Sequence, residues 1–395
     1  MNAKQVTLDF SSSMSRRLVE VFSLHSDAPP VFDGEKDYVS TGAVDGDRID
    51  EASVEKVTFN NRPSRANLFP REGDILFAKM ASTNKTLQVV GPAIGRIYST
   101  GFFAVSPKTD MISGRLLFHY LCSEPFHRQK DKLSTGATMK GLTNAGLEKI
   151  LIKIPPRSAQ DQLASILDRV CELRTKRKAQ LARLDALAKS LFVEMFGDAV
   201  QNTKNWVQKT IGDIATDVRY GTSRPAVDGG RFPYLRMNNI SNDGELDLEN
   251  IKSIDIPDSE LEKCLVRRGD ILFNRTNSAE LVGKSCMFKL NEPMVIAGYI
   301  IRVRVKPCIL PEYLAAFLNQ RPIRKLLSSM AKGAVNQANI NAKELQSVLL
   351  SIPPLSIQTA FVEHIERIDK SKFAIRKSLD ELNRLYRSLL QQYFG

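Results

Sequence analysis

The sequence predicts an α+β fold in two tandem copies, each a strand-rich domain followed by a long helix, with the two helices pairing as an antiparallel coiled coil. Three observations carry that prediction: an internal repeat, a change of hydrophobic periodicity inside each copy, and a heptad seam in each final segment. The chain divides accordingly into residues 1–153, 154–198, 199–351 and 352–395.

The repeat comes first. Ile154-Pro155-Pro156 returns as Ile352-Pro353-Pro354, 198 residues later. Gln160 and Gln358, Phe196-Gly197 and Phe394-Gly395, Leu142 and Ile340, and Leu147 and Leu345 keep the same offset of 198. Gly73-Asp74-Ile75-Leu76-Phe77 matches Gly269-Asp270-Ile271-Leu272-Phe273 at 196. Anchors in one order at nearly one offset mark a tandem duplication.

In the first part of each copy, short apolar runs such as residues 75–80, 102–105 and 294–305 alternate with clusters of Gly, Pro, Asn and Asp. That pattern reads as strands and turns. Residues 114–123 and 311–320 read as short helices. Each Gly-Asp forms a turn and the apolar triplet after it a buried strand.

The paired prolines then end the strand, because proline cannot continue a ladder. Ser158 with Asp161 fits a capping box, and Ser356 is the equivalent cap, with Thr359 in place of the acid. Downstream, Ile368, Lys372, Ile375, Leu379, Leu382, Tyr386, Leu389 and Tyr393 step alternately by four and three. Val170, Arg174, Arg177, Leu181, Leu184, Ala188, Leu191 and Met195 keep the same register. This is a heptad seam, and each helix of about 36–38 residues spans roughly 55 Å. A sustained apolar seam on a charged helix needs a partner helix to cover it. Gly197 and Gly395 stand where helices terminate.

Composition narrows the function. A net charge of +12 and a pI near 9.4 point to a polyanion such as nucleic acid. The excess is shared: residues 1–198 carry 28 basic and 23 acidic side chains, and residues 199–395 carry 28 and 21. The five cysteines form no C-x-x-C pair, which suits a cytoplasmic protein with reduced thiols. No apolar run reaches the roughly 18–20 residues needed to span a bilayer, and the N-terminus has no apolar signal core.

Catalytic motifs are not found. Gly283-Lys284-Ser285 ends like a phosphate-binding loop, but position 278 is Ser where the upstream glycine belongs. Ile154-Pro155-Pro156-Arg157 lacks both the Asn and the aromatic of an amino-methyltransferase motif. Four dispersed histidines offer no metal-ligand spacing.

Polar loops remain, and they suit a nucleic-acid surface. Lys79 through Lys85, with Asn84, follow one Gly-Asp strand; Arg275 and Asn277 follow the other. Amide and guanidinium groups can make bidentate contacts with adenine and guanine. Arg219, Tyr220, Thr222, Ser223 and Arg224 form a second group, and Arg236, Asn238 and Asn239 a third. Asn336, Gln337 and Asn339 form a fourth, facing Thr138 and Lys140 of the first copy. Taken alone, each is equally an ordinary solvated loop. Together, two copies of one scaffold with different polar loops would read two different sequences.

In this arrangement the chain resembles the specificity subunit of Type I restriction–modification systems, over essentially all its length. The resemblance rests on the order of the two variable domains and the two Ile-Pro-Pro helices, with Tyr220-Gly221-Thr222-Ser223 and Asn339-Ile340-Asn341. It implies two target recognition domains, each reading half of a bipartite DNA site, with the helix pair setting the gap. It further implies docking of two modification (methyltransferase) subunits, which carry S-adenosylmethionine, and of restriction subunits using ATP and Mg. This chain would bind no cofactor and no metal itself. The first copy departs from the pattern: it has no clear counterpart of Tyr-Gly-Thr-Ser, and residues 1–35 align poorly with 199–232. The competing readings are a stand-alone DNA-modifying enzyme and a coiled-coil scaffold without DNA specificity.

Overall fold

The computed structural model describes residues 14–278, 280–331 and 338–395. It contains two compact units, and neither is a continuous stretch of one copy. Unit one comprises residues 1–179 with 376–395, and unit two comprises residues 180–375. Each long helix therefore gives its first part to one unit and its last part to the other.

In unit one, a four-stranded antiparallel sheet runs in the order Phe22–His25, Phe102–Pro107, Ile75–Ala78, Thr86–Gln88. A second sheet runs Glu55–Thr58, Glu35–Val39, Ile97–Ser99, Ala66–Leu68, with one parallel pair in it. Unit two repeats both. Its first sheet is Ala215–Tyr220, Ile300–Val305, Ile271–Asn274, Ser285–Met287. The second is Lys252–Ile254, Phe232–Leu235, Met294–Ile296, Leu265–Val266, with the parallel pair in the same place.

The Gly-Asp turns work alike in both units. Gly73 and Gly269 take φ of 85° and 91°, conformations that cost glycine nothing. The Asp74 and Asp270 carboxylates accept the main-chain N–H of Arg71 at 2.8 Å and Arg267 at 3.0 Å. The strands that follow are fully buried.

Pairing also resolves the poor alignment at the start of the first copy. Met14–Arg17 pairs antiparallel with Leu151–Ile154, just as Val207–Thr210 pairs with Leu349–Ile352. His25 and Arg219 then occupy equivalent places opposite Ala104 and Arg302. The poor match reflects different side chains and short length changes on a common backbone.

The long helices are Arg157–Phe196 and Leu355–Phe394. They begin one residue before Ser158 and Ser356, so neither serine is the N-cap, which corrects the capping-box reading. The prolines preset the entry, and the first main-chain bonds return to them: Ala159 N–H to Pro156 O and Ile357 N–H to Pro354 O. The repeated glutamine holds each start against its own domain. The amide oxygen of Gln160 accepts the Ser113 N–H at 2.9 Å, while its nitrogen donates to Met111 O and Pro155 O. Gln358 makes the corresponding bonds to Leu310, Cys308 and Pro353.

The helices run antiparallel. In unit two, Asp185 meets Lys372, and further along Phe192 and Phe196 meet Phe361. In unit one, Arg174 Nε donates to Asn383 Oδ1 at 2.7 Å. Val170, Ile368, Lys372 and Tyr386 of the predicted seam are buried, and Leu181, Leu184, Leu191, Ile375, Leu379, Leu382 and Leu389 are half-buried. Outside that seam, Leu390 and Phe394 enter the unit-one core, and Phe192 and Phe196 enter that of unit two. A helix packed on a domain as well as on a helix needs a wider apolar face than a strict two-in-seven seam.

Candidate nucleic-acid interface

In both units the loop after the Gly-Asp strand lies against the segment preceding a short helix. In unit one, Met80 bridges Gly141, the Ala81 N–H donates to Lys140 O at 3.0 Å, and the Leu142 N–H donates to Lys79 O at 2.7 Å. In unit two, Thr276 and Asn277 pair with Asn339 and Ala338, and the Ile340 N–H donates to Arg275 O at 2.9 Å. Two of the loop groups singled out in the sequence are thus brought together twice, by one backbone arrangement.

The unit-one loop is pinned from the helix Glu124–Leu133. Lys130 is buried there and donates to Met80 O at 3.1 Å and Thr83 O at 2.5 Å, while Asp131 accepts the Ser82 N–H at 2.9 Å. Burial lowers the Lys130 ammonium to about 8, outweighing the Asp131 charge that raises it. Neither supporting residue was signalled by the sequence, because a Lys-Asp pair on a polar helix reads as solvated surface. Lys79 and Lys85 also turn inward: their ammonium groups donate to Thr100 O at 2.8 Å and Thr41 O at 2.7 Å. Asn84, Thr138 and Lys140 remain exposed.

In unit two the site gathers around Tyr220. The Arg275 guanidinium lies over its ring at 4.9 Å, and the Tyr220 hydroxyl accepts the Ala342 N–H at 2.7 Å. That N–H belongs to the first turn of the helix Ala342–Gln346, where it has no partner within the helix. Asn341 caps the same helix, its side-chain oxygen accepting the Glu344 N–H at 2.9 Å, and Asn339 is half-buried. Arg275 Nε, Thr276 Oγ1 and Asn339 Oδ1 are buried without hydrogen-bond partners, and such orphaned groups are rare in folded proteins. Gly221 makes the turn possible, since a Cβ there would lie 2.1 Å from Ile296 O. Tyr220, Ser223, Arg224 and Arg275 line a cavity of about 560 Å³ that Glu260 and Lys263 also border.

The arginines here are paired with carboxylates. Arg224 meets Glu260 at 2.6 Å, and Arg219 meets Asp217 at 2.7 Å. Although burial pushes the other way, the buried Arg302 and then Arg219 hold the Asp217 carboxyl below its ordinary value.

Two of the expected contact residues turn inward. Asn239 is buried, its oxygen accepting the Arg236 N–H at 2.9 Å and its nitrogen donating to Asp247 O at 2.9 Å. Thr222 is buried in the turn, where its hydroxyl accepts the Arg224 N–H at 3.2 Å. Both side chains help to close turns, and Thr222 also borders the cavity. Arg236 is half-buried and donates to Asn250 O, Asn277 caps its own loop by accepting the Ser278 N–H, and Asn238 is exposed. Asn336 and Gln337 lie outside the described residues. After Gly283-Lys284, the chain enters the strand Ser285–Met287 and not the helix a phosphate-binding loop requires.

Among the described residues, no group of three or more His, Cys, Asp or Glu side chains could hold a metal ion, and no helix is long and apolar enough to cross a membrane. The five cysteines are free.

A duplicated mixed fold with two long antiparallel helices and a polar loop pair on each copy defines a two-domain recognition protein. The model of the Type I restriction modification DNA specificity domain matches twice, over residues 15–183 and 203–384, and the chain belongs to that family. It is 26% identical over 313 residues to the EcoKI specificity subunit of Escherichia coli K12, covering 74% of this chain and 67% of that one. The MjaVIII specificity subunit of Methanocaldococcus jannaschii is 23% identical over 314 residues, 74% of this chain and 72% of that one. Two solved structures share the fold. One, from work on complex assembly and conformational transition of the type I R-M system, has a TM-score of 0.57 at 21% identity, covering 96% of this chain and 97% of that one. The other, the S subunit from M. genitalium, has a TM-score of 0.55 at 12% identity, covering 100% and 98%.

Proposed function

We propose that this chain is the non-catalytic specificity subunit of a cytoplasmic Type I restriction–modification complex, reading a bipartite DNA site with one half-site per unit. The observation that carries the reading is the repeated loop pair: one backbone arrangement brings together the segments that carry Asn84, Thr138 and Lys140 in unit one, and Arg275, Asn277 and Asn339 in unit two. A common frame with different hydrogen-bonding groups suits two different base sequences. The two long helices set the unread gap and dock two modification subunits, to which restriction subunits are added. S-adenosylmethionine belongs to the modification subunits, ATP and Mg to the restriction subunits, and none of them to this chain.

The test is to co-purify the chain with the methyltransferase encoded beside it and map methylated adenines. A two-part motif with a fixed gap is expected. Exchanging residues 199–350 for those of a relative should then change one half of the motif only. A continuous motif, or a change in both halves, would overturn the one-unit-one-half-site reading. Methylation by the isolated chain would favour a stand-alone enzyme instead.

A further inference from the structure

A cavity of about 200 Å³ lies in unit one, between the long helices and the loop carrying Asp47 and Arg48. On its wall is His127, only 6% exposed, with neither ring nitrogen bonded to any partner. Burial, reinforced by the Lys130 charge, lowers its pKa to about 4, so at neutral pH the ring offers one N–H donor and one acceptor. A buried polar group left open on a cavity wall is what a ligand would satisfy.

Facing the same space are Arg48, Arg174 and Lys178, with Asp47 as the one acid on the wall. Asp47 is 4.0 Å from Arg48 and makes no ion pair with the other two. The Arg174 guanidinium is held in place by Asn383 at 2.7 Å and by the Tyr386 ring beneath it at 5.0 Å, and among the described residues it has no carboxylate partner. A fixed guanidinium is suited to an oxyanion, since little freedom is lost on binding.

The duplication supplies an internal control. Unit two has a cavity of about 170 Å³ at the equivalent place, with Lys372 for Arg174 and Asp369 for Cys171. Its three lysines are outnumbered by five carboxylates, and each lysine is paired. Lys372 meets Asp185 and Glu245 at 2.7 Å, Lys289 meets Asp369 at 2.7 Å, and Lys189 is 4.0 Å from Asp243. The position equivalent to His127 is Arg324, which does not line that cavity. One architectural pocket is therefore cationic in unit one and neutralised in unit two.

We propose that the unit-one cavity binds a small phosphomonoester, with the phosphate between Arg48, Arg174 and Lys178 and a hydrogen-bonding group of the ligand on His127. Three cations against one acid exceed what a single carboxylate would neutralise, which selects a doubly charged phosphate. The site meets the DNA-reading loop of unit one at Asn84, and its occupancy would be sensed by both long helices through Arg174 and Tyr386.

The experiment is calorimetric titration of the full chain with inorganic phosphate and with glycerol 3-phosphate, in a buffer free of other polyvalent anions. The Arg48→Gln/Lys178→Gln double variant changes only exposed side chains. It should weaken both ligands about tenfold or more, equivalent to roughly 1.4 kcal/mol. Lys289→Gln, in the unit-two cavity, should leave binding unchanged. His127→Phe should weaken glycerol 3-phosphate while raising the melting temperature of the ligand-free chain, an opposition that a purely structural histidine would not give. Equal affinity in the double variant, or no saturable binding of either anion at millimolar concentration, would overturn the proposal. So would binding of duplex DNA alone that falls in the double variant, since the cations would then belong to a backbone contact.

Discussion

Arg174 in unit one and Lys372 in unit two occupy one position of the duplicated helix, yet Arg174 reaches an amide and Lys372 sits between two carboxylates. The glutamines at the helix starts, by contrast, make the same three bonds in both units. Buried polar groups that join a helix to a sheet have to be satisfied in one way, so they persist through divergence. Cavity walls are freer, because water or a ligand can complete them. The paired polar loops show the same contrast: the strand before each and the helix after each are shared, while the side chains differ.

The largest expected effect concerns the Gly221 turn of unit two. Gly221→Ala places a Cβ against the backbone oxygens of Ile296 and Ala297, at 2.1 and 2.4 Å, and neither can move without parting the sheets. A loss of more than about 4 kcal/mol in unit two is expected from such a clash, with unit one retained, as read by denaturant unfolding followed by hydrogen exchange. An unchanged midpoint would mean that this turn is slack.

Next is acid stability, which should separate the units. His127 is neutral when folded down to about pH 4, whereas in the unfolded chain it takes up a proton below about 6.5. Between those values the unfolded state binds more protons, so stability falls as pH falls, by about 3 kcal/mol in all. Unit two has Arg324 at that position and should show no such limb. Thermal melts of wild type and His127→Phe from pH 7 to 4 would test it, and parallel slopes would remove His127 as the cause.

Removing the central cation should distinguish the cavities. Burial opposes the charge on Lys372, but its hydrogen bonds to the carboxylates of Asp185 and Glu245 outweigh it and hold the pKa above the ordinary lysine value. Lys372→Met removes the cation from between Asp185 and Glu245, and because both carboxylates are partly exposed a loss of about 2–3 kcal/mol is expected. Arg174→Met forfeits the hydrogen bond to Asn383, a weak one to the Cys171 sulfur and a ring contact, about 1 kcal/mol. Equal losses would erase the contrast.

The smallest effects are on DNA. Arg275→Ala should cost about 1–3 kcal/mol and relax the preference at one base position, whereas Lys140→Ala should weaken all sequences alike and lower the salt slope by about one. Binding isotherms at several salt concentrations would measure both, and a uniform loss for Arg275→Ala would assign it to the backbone.

Much of this architecture was legible in short stretches of sequence. The offset of 198, the Gly-Asp turns and the heptad steps are local or repeated signals, and each names an element without reference to distant parts of the chain. The family followed from their order. Which groups of a loop remain open was not legible: Asn238 and Asn239 are neighbours of one type, yet only the fold turns Asn239 inward onto Asp247. Lys130 was overlooked because its ligands are main-chain oxygens of a loop far away in sequence. The phenylalanines at 192 and 196 stand outside the predicted seam, and their burial depends on Tyr313 and Phe361. Turn chemistry and periodicity act between near neighbours and are written into the sequence by itself. Burial, hydrogen-bond partners and the sharing of each helix between two units depend on residues that only folding brings together, and the tertiary structure alone decided them.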